Sequence, residues 1–503
     1  MKMELAKLGK AMSWNAMARI ARFVAGPIAY IIIVRSLGEY NWGLLSVLKS
    51  IMSFALILIL AGGGKALLKF LPEMKVKGGV SRFYPTVRKL LVVQGSVWVL
   101  LLIVSWLMAG RIARIYQVQD MNFNMLLILA VGFVLFQVMM SIVTKVLQAL
   151  YETKLLGFVI VGGNIAYIIC LILLLKVFNL GIPGVIIAGG ISNLAMILVI
   201  MPRIRDLING EDSSVGEVPD LSKVLKFSLP FVVTGLLNQV VWRQSEVLFL
   251  GHYTGMEEAG YFELAYRMPQ MVLEFIPLAI WPIIMAGMSE SYSRDRKGLV
   301  KSVRLYYKML YIIVIPIAAM GFAFSRELIP ILYGENMVFS GLFAQMFFIV
   351  FSYSFLYTPL SMSLYVMEKS WVNMLLFSLL ALINIGLDFA LIPKYGLWGA
   401  FLPVALVMMI AIAIFYIAIK RFRNDIQVPI KFIGRCYLAG IPTALLALSA
   451  WKWNQPIWIA LQMVIGIAVL AVSYRLLRII GKREKEIIME MPIPFKRLIV
   501  AVL

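Results

Sequence analysis

Histidine and cysteine are almost missing from this chain of 503 residues, which has one His and two Cys. Cys170 and Cys436 both lie in apolar stretches without metal-ligand spacing, so no disulfide framework or thiolate metal site is on offer. His252 stands alone in a predicted outer loop, the ordinary place for a surface histidine. Histidine-based acid–base chemistry and Cys/His zinc sites are therefore disfavoured. Charge is scarce as well: Asp, Glu, Lys and Arg make up 14% of the residues, against about 25% in an average soluble domain. Acids are the scarcer sign, 25 against 47 Lys and Arg. Long polar segments are also missing, and no outer loop exceeds 15 residues, which leaves no room there for an inserted soluble catalytic domain.

Hydrophobic residues fill that space, at 62% of the chain with a mean hydropathy of +0.92. A soluble protein is excluded by that composition. Apolar runs of spanning length fall at 12–34, 43–64, 88–109, 124–147, 155–175, 183–201, 228–250, 262–287, 305–324, 339–364, 371–392, 396–419, 433–451 and 456–477. The expected fold is an all-α polytopic membrane protein with fourteen transmembrane helices. The first run is too long for a signal-peptide core and carries arginines, so it reads as a retained span.

The net charge of +22 would suggest nucleic acid in a soluble chain. Its distribution gives a different reading. With the N-terminus inside, 35 Lys and Arg fall in or beside segments on the cytoplasmic side, seven in outer loops and five in the spans. That bias follows the positive-inside rule, expects both termini in the cytoplasm, and removes the case for a nucleic-acid partner.

The segment "INGEDSSVGEVPD" reads as a linker at 205–225 between two halves. A weak repeat supports the division. Leu37, Gly38 and Tyr40 recur as Leu250, Gly251 and Tyr253 at an offset of 213, and Gly181 and Gly184 recur as Gly396 and Gly399 at an offset of 215. Six helices in each half, at 1–204 and 226–422, leave two additional helices and a cytoplasmic tail at 423–503.

Several stretches resemble the polysaccharide-type lipid-linked oligosaccharide flippases of the multidrug/oligosaccharidyl-lipid/polysaccharide exporter superfamily. They are "IIVRSLGEYNWGLLSVLKSIMSFALILILAGGGKALLKFLPE" (32–73), "FSLPFVVTGLLNQVVWRQSEVLFLGHYTG" (227–255), "AGYFELAYRM" (259–268), "LIPILYGENM" (328–337) and "LINIGLDFALIPKYGLWGAFLPVAL" (382–406). The resemblance implies two pseudo-symmetric six-helix lobes around a central cavity, working by alternating access. It also implies an undecaprenyl-pyrophosphate-linked oligosaccharide as cargo, with membrane lipids around a monomer in the cell membrane and polysaccharide-assembly enzymes as its associates.

Charges inside the spans are costly, by roughly 2.5–3.5 kcal/mol each at mid-bilayer, and normally face a cavity or a partner. The first half holds Arg19, Arg22 and Lys49 and no acid; the second holds Arg243, Arg267, Glu246, Glu263, Glu274 and Asp388. Arg19 and Arg22 share one helical face. Snorkelling to headgroups is one reading of them; a cationic wall for an anionic headgroup is the other. In the related lipid II flippases, basic residues of the first, second and eighth helices line the cavity. The resemblance accordingly puts Arg19, Arg22, Lys49 and Arg267 on the substrate pyrophosphate.

Glu263 with Arg267 (i,i+4) and Arg243 with Glu246 (i,i+3) are expected ion pairs, which would either neutralise each other for insertion or, at Arg267, exchange with substrate. Asn384 and Asp388, also i,i+4, could serve a hard cation such as sodium, with Glu246 as a third ligand; hydration at a helix end is the alternative. Glu274 is an isolated acid for proton coupling or plain solvation. No other cofactor is expected than a sodium ion or proton as coupling ion. Pro230, Pro269, Pro277, Pro282 and Pro316 are expected to interrupt second-half spans, and the 30 methionines suit core packing.

A flippase is the leading expectation and a non-enzyme. A lipid II flippase and a multidrug antiporter remain alternatives, the second weaker because a cationic cavity repels cationic drugs. A membrane glycosyltransferase or polymerase is a different class, but the outer loops offer it no His, Cys or paired carboxylates. A scaffold would leave the intramembrane cations unexplained.

Overall fold

The computed structural model describes residues 2–76, 80–118, 123–208, 219–242, 245–446, 456–479 and 481. Residues 209–218, within the expected linker, and the tail from 482 onward lie outside the described residues. Among the described residues every regular element is helical. The helices are α1 (Lys2–Leu60), α2 (Gly63–Val76), α3 (Val80–Ile115), α4 (Phe123–Ala149), α5 (Thr153–Ile172), α6 (Gly181–Ile208), α7 (Leu221–Trp242) and α8 (Glu246–Tyr253). They continue with α9 (Met256–Arg294), α10 (Arg296–Tyr333), α11 (Val338–Ser354), α12 (Thr358–Val366), α13 (Ser370–Phe422), α14 (Ile430–Leu445) and α15 (Pro456–Leu476).

Among the described residues, ten helical stretches are long and apolar enough to cross a membrane. The count differs from the expected fourteen partly because two stretches, Phe23–Met74 and Ser370–Phe422, run to 52 and 53 residues. At 1.5 Å per residue each would be about 78 Å long if straight, against about 30 Å of hydrocarbon. Neither is straight. Gly38 (φ 75, ψ 177) and Gly396 (φ 54, ψ −128) break the helical dihedrals inside α1 and α13, in conformations that only glycine adopts without strain.

The consequence is visible in the contacts. Nineteen residues of straight helix would separate Tyr30 from Lys49 by about 28 Å, yet the Lys49 ammonium lies 5.1 Å from the centre of the Tyr30 ring. A Cβ at Gly399 would stand 2.3 Å from the Leu391 carbonyl oxygen. Both helices therefore double back at a single glycine. Gly181, the repeat partner of Gly396, also has positive φ (59). In contrast, Pro230 and Pro316 lie inside α7 and α10, and Pro269, Pro277 and Pro282 inside α9, without ending those helices. Apolar surroundings favour keeping the remaining helical hydrogen bonds.

The chain divides into two compact units, Met1–Gly260 and Tyr261–Leu503. In the first, α1 packs on α4, α5 and α6. A core of Val143, Leu147, Val159, Met196 and Ile200 joins α4, α5 and α6. Phe133 of α4 lies over Gly190 of α6, where a Cβ would approach its ring to 1.9 Å. Trp42 of α1 is fully buried, and its indole N–H donates to the Gly260 carbonyl at 3.0 Å.

In the second unit, α10 packs on α11, α14 and α15. Tyrosine hydroxyls supply polar ties there: Tyr307 donates to the Leu356 carbonyl at 2.6 Å, and Tyr437 meets the Ser352 hydroxyl at 3.0 Å. The Tyr474 hydroxyl reaches the Ile312 carbonyl at 3.4 Å. Such bonds hold helices together where burial of apolar surface contributes little, because lipid is itself apolar.

Candidate functional site

The first unit contains a cavity of about 410 Å3, within the range of small-molecule sites. Its wall includes Lys49 of α1, Gln137, Ser141 and Thr144 of α4, Asn164 of α5 and Asn193 of α6. Gly163 and Gly189 also line it, and their missing side chains leave volume beside the amides. Among the described lining residues there is no Asp or Glu, and Lys49 is the charged one.

Lys49 is seated by aromatic rings. Its ammonium lies 4.9 Å from Trp42 and 5.1 Å from Tyr30, and these two rings meet edge to face at 5.3 Å. Trp42 is two turns before Lys49 on the same face, and the reversal at Gly38 delivers Tyr30. A half-buried cation over two ring faces gains cation–π attraction of about 0.5–1 kcal/mol per ring. The Lys49 ammonium therefore lies back along its own helix, between the Trp42 and Tyr30 rings. The hydroxyl protons of Thr144 and Ser192 are committed to the carbonyls of Ser141 (2.8 Å) and Gly189 (3.1 Å). Both residues line the cavity, and their hydroxyl oxygens keep only acceptor capacity. The Asn164 amide nitrogen is buried without a hydrogen-bond partner among the described residues.

The second unit carries a polar ladder along one face of α9. Arg267 pairs with Glu263 at 3.4 Å and donates to the Gln270 side-chain oxygen at 3.0 Å. Gln270 in turn donates to Glu274 at 3.2 Å. The spacing i, i+4, i+7, i+11 stacks these four on successive turns. Glu274 is thus part of a network and not an isolated acid. On α13 the Asn384 amide donates to Asp388 at 3.1 Å, and both residues are buried, Asp388 completely. Burial removes the hydrated-end reading of Asp388. As the pair stands, the amide NH2 faces the carboxylate, whereas a cation between them would need the amide oxygen turned inward.

The remaining expected residues are placed as follows. Arg19 and Arg22 lie on α1, with their side chains outside what is described. Arg243 lies outside the described residues, and with it the expected Arg243–Glu246 pair. Glu246 opens α8 in the first unit and is 2% exposed. Among the described residues no group of three or more His, Cys, Asp and Glu gathers to hold a metal. His252 meets the Ile115 carbonyl at 2.6 Å through Nδ1, which ties α8 to the end of α3. Gln137, Asn164, Asn193 and Gln270 were not singled out from the sequence. Their signal was an uncharged amide in the middle of an apolar run, a residue type that must find a partner in a membrane.

The profile of the polysaccharide biosynthesis protein family matches residues 32–340 of the chain. The chain belongs to that family. No curated protein sequence matches it. Solved structures match over most of its length. The chain is similar to the lipid II flippase MurJ in an inward closed conformation, with a TM-score of 0.73 and 16% identity over 92% of this chain and 99% of that one. It is also similar to a multidrug resistance MATE family transporter of the MOP superfamily. The inward-facing form gives a TM-score of 0.66 at 13% identity over 82% of this chain and 97% of that one. The outward-facing form gives 0.57 at 14% identity over 83% and 97%. These likenesses are of fold. With the apolar helices described above, this family member is a multi-pass membrane protein.

Proposed function

We propose that the protein is a flippase that carries a polyprenyl-pyrophosphate-linked oligosaccharide from the inner to the outer leaflet of the cell membrane. The observation that carries this reading is the Lys49 ammonium at the wall of a cavity whose described lining sets amides and hydroxyls among apolar residues such as Leu45, Met52 and Ile186 and includes no carboxylate. A polyhydroxylated anion fits that chemistry; a lipophilic cation, the cargo of a multidrug antiporter, is repelled by it. Membership of a polysaccharide biosynthesis family and a fold shared with a lipid II flippase support the same cargo class.

In this reading the chain crosses the membrane fourteen times with both termini in the cytoplasm. The six-helix lobes 1–204 and 226–422, joined by the linker 205–225, enclose a central cavity, and the two helices of 423–503 stand beside them. Arg19, Arg22, Lys49 and Arg267 hold the pyrophosphate by charge-assisted hydrogen bonds. The tail stays in lipid while the headgroup crosses during alternating access. The acids of the second half, Glu246, Glu274 and Asp388 with Asn384, couple the cycle to sodium or protons. The chemistry is transport and not bond making.

The test is flipping of a defined lipid-linked oligosaccharide by the purified protein in proteoliposomes, with and without sodium and proton gradients and with lipid II as the competing cargo. A hydrogen bond to a charged group is worth about 1.5–3 kcal/mol, so Lys49→Gln and Arg22→Ala each lower the rate about 10- to 100-fold. Wild-type rates in both variants would refute the headgroup assignment.

A further inference from the structure

We infer that the first-unit cavity is a sugar subsite, taking the pyranose bonded directly to the phosphate that Lys49 holds and selecting against a sugar that carries a free ammonium group. The inference rests on the reading that the cargo is a lipid-linked sugar.

The argument begins with convergence. Three side-chain amides, Gln137, Asn164 and Asn193, come from three different helices to one wall. Amides in membrane helices most often hold helices together by bonding across them. The Asn164 NH2 group does not do so: it is buried and has no acceptor among the described residues. A donor left in that state costs about 1–3 kcal/mol, which an incoming oxygen would recover. No bond fixes that NH2 group, so a turn about χ2 can present it to the cavity that Asn164 lines.

The acceptors complement it. Thr144 and Ser192 spend their protons on helix carbonyls and offer only oxygen lone pairs. Donors and acceptors on one concave wall match the ring hydroxyls of a pyranose, each of which donates and accepts. Tyr167 adds an aromatic surface for the C–H face of the ring.

Polarity then sets the orientation and the selectivity. Among the described lining residues Lys49 is the charged one, so the phosphate end of a sugar phosphate lies toward α1 and the hydroxyls toward α4, α5 and α6. With no carboxylate among the described lining residues, an ammonium on the sugar meets the Lys49 charge without a counter-ion from them. A neutral or acidic sugar meets no such penalty.

The test uses the full chain in nanodiscs and soluble probes: inorganic phosphate, glucose 1-phosphate and glucosamine 1-phosphate. Trp42, 4.9 Å from the Lys49 ammonium, is the fluorescent reporter, with Trp42→Phe as the blank. Glucose 1-phosphate is expected to bind about tenfold more tightly than inorganic phosphate, and glucosamine 1-phosphate to lose that advantage. Asn164→Ala is expected to bring glucose 1-phosphate down to the affinity of inorganic phosphate; Lys49→Gln weakens both ligands. If Asn164→Ala does not fold, Asn193→Ala serves with the same expectation.

Equal binding of glucose 1-phosphate and phosphate by the wild type, or an undiminished ratio in Asn164→Ala and Asn193→Ala, overturns the subsite. Flipping of lipid-linked oligosaccharide without this ratio sinks the subsite alone. The ratio without any flipping sinks the transport reading and leaves the subsite standing.

Discussion

Gly43 marks the tightest approach in the first unit. A Cβ built there would stand 1.6 Å from the Met256 carbonyl oxygen and 2.5 Å from the Met256 carbonyl carbon. Ordinary contact begins near 3.4 Å, so α1 and the start of α9 would have to part by 3.4 − 1.6, or 1.8 Å. Both obstructing atoms are backbone, which no rotamer change can move. Overpacking of this kind costs about 1–3 kcal/mol, and here the upper end applies. Separation also stretches the Trp42–Gly260 hydrogen bond, now 3.0 Å, worth about 1 kcal/mol more.

Gly43→Ala is therefore expected to destabilise the protein by about 3–4 kcal/mol. Gly95→Ala is the control, because a Cβ at that helical position meets nothing within 4 Å and should gain up to about 1 kcal/mol of helix propensity. At about 2–4 °C per kcal/mol for a unit of this size, Gly43→Ala lowers Tm by about 6 °C or more while Gly95→Ala holds or raises it. Thermal unfolding of the purified variants in one detergent, scanned at one rate, measures the difference. Equal Tm values for Gly43→Ala and wild type would refute the close-approach reasoning. They would also remove the reason for Trp42 to be fixed beside Lys49.

Two further outcomes concern ion pairs. Glu263→Gln leaves the Arg267 guanidinium, 20% exposed, without its carboxylate at 3.4 Å, and should cost about 1–3 kcal/mol. The double variant Glu263→Gln/Arg267→Gln should lose less than the sum of the singles, and a double-mutant cycle showing strict additivity would deny the coupling. Beyond α13, the hydrogen bonds from Arg423 hold the Asp425 carboxyl below its usual 3.8. Its folded value is depressed, so its contribution is full above about pH 4 and is lost as pH falls through that lowered value. The pair is solvent-exposed on the Asp425 side, at 49%, and worth about 0–1 kcal/mol. The Tm gap between wild type and Asp425→Asn should therefore be small, constant near neutral pH and closed in acid; a gap that widens in acid contradicts the sign.

The same-helix features of the sequence reading follow from spacing alone. Glu263 and Arg267, and Asn384 and Asp388, are four residues apart on continuous helices, and both pairs meet at 3.4 and 3.1 Å. Apolar runs announced the helices for the same reason, since a period of 3.6 is a local property. The cavity was hidden because Gln137, Asn164 and Asn193 sit in three runs whose order along the chain carries no register between helices. Each amide alone looks like helix–helix glue. The aromatic seat of Lys49 was half visible: Trp42 is seven residues earlier on the same face, but Tyr30 arrives only through the reversal at Gly38. Span boundaries were blurred for the same cause, since Gly38 and Gly396 reverse the chain without a polar stretch to announce it.

Those two reversals also decide where this protein can vary. A surface loop between helices absorbs insertions at little cost and is where related proteins usually diversify. A turn made by one glycine has no such slack. At Gly396 the Leu391 carbonyl would lie 2.3 Å from a Cβ on Gly399, so one added residue would drive one helix end into the other. Tags, labels and lineage-specific insertions are accordingly shut out at Gly38 and Gly396. The stretch from Arg423 to Pro429, which is not helical, has the slack to take them.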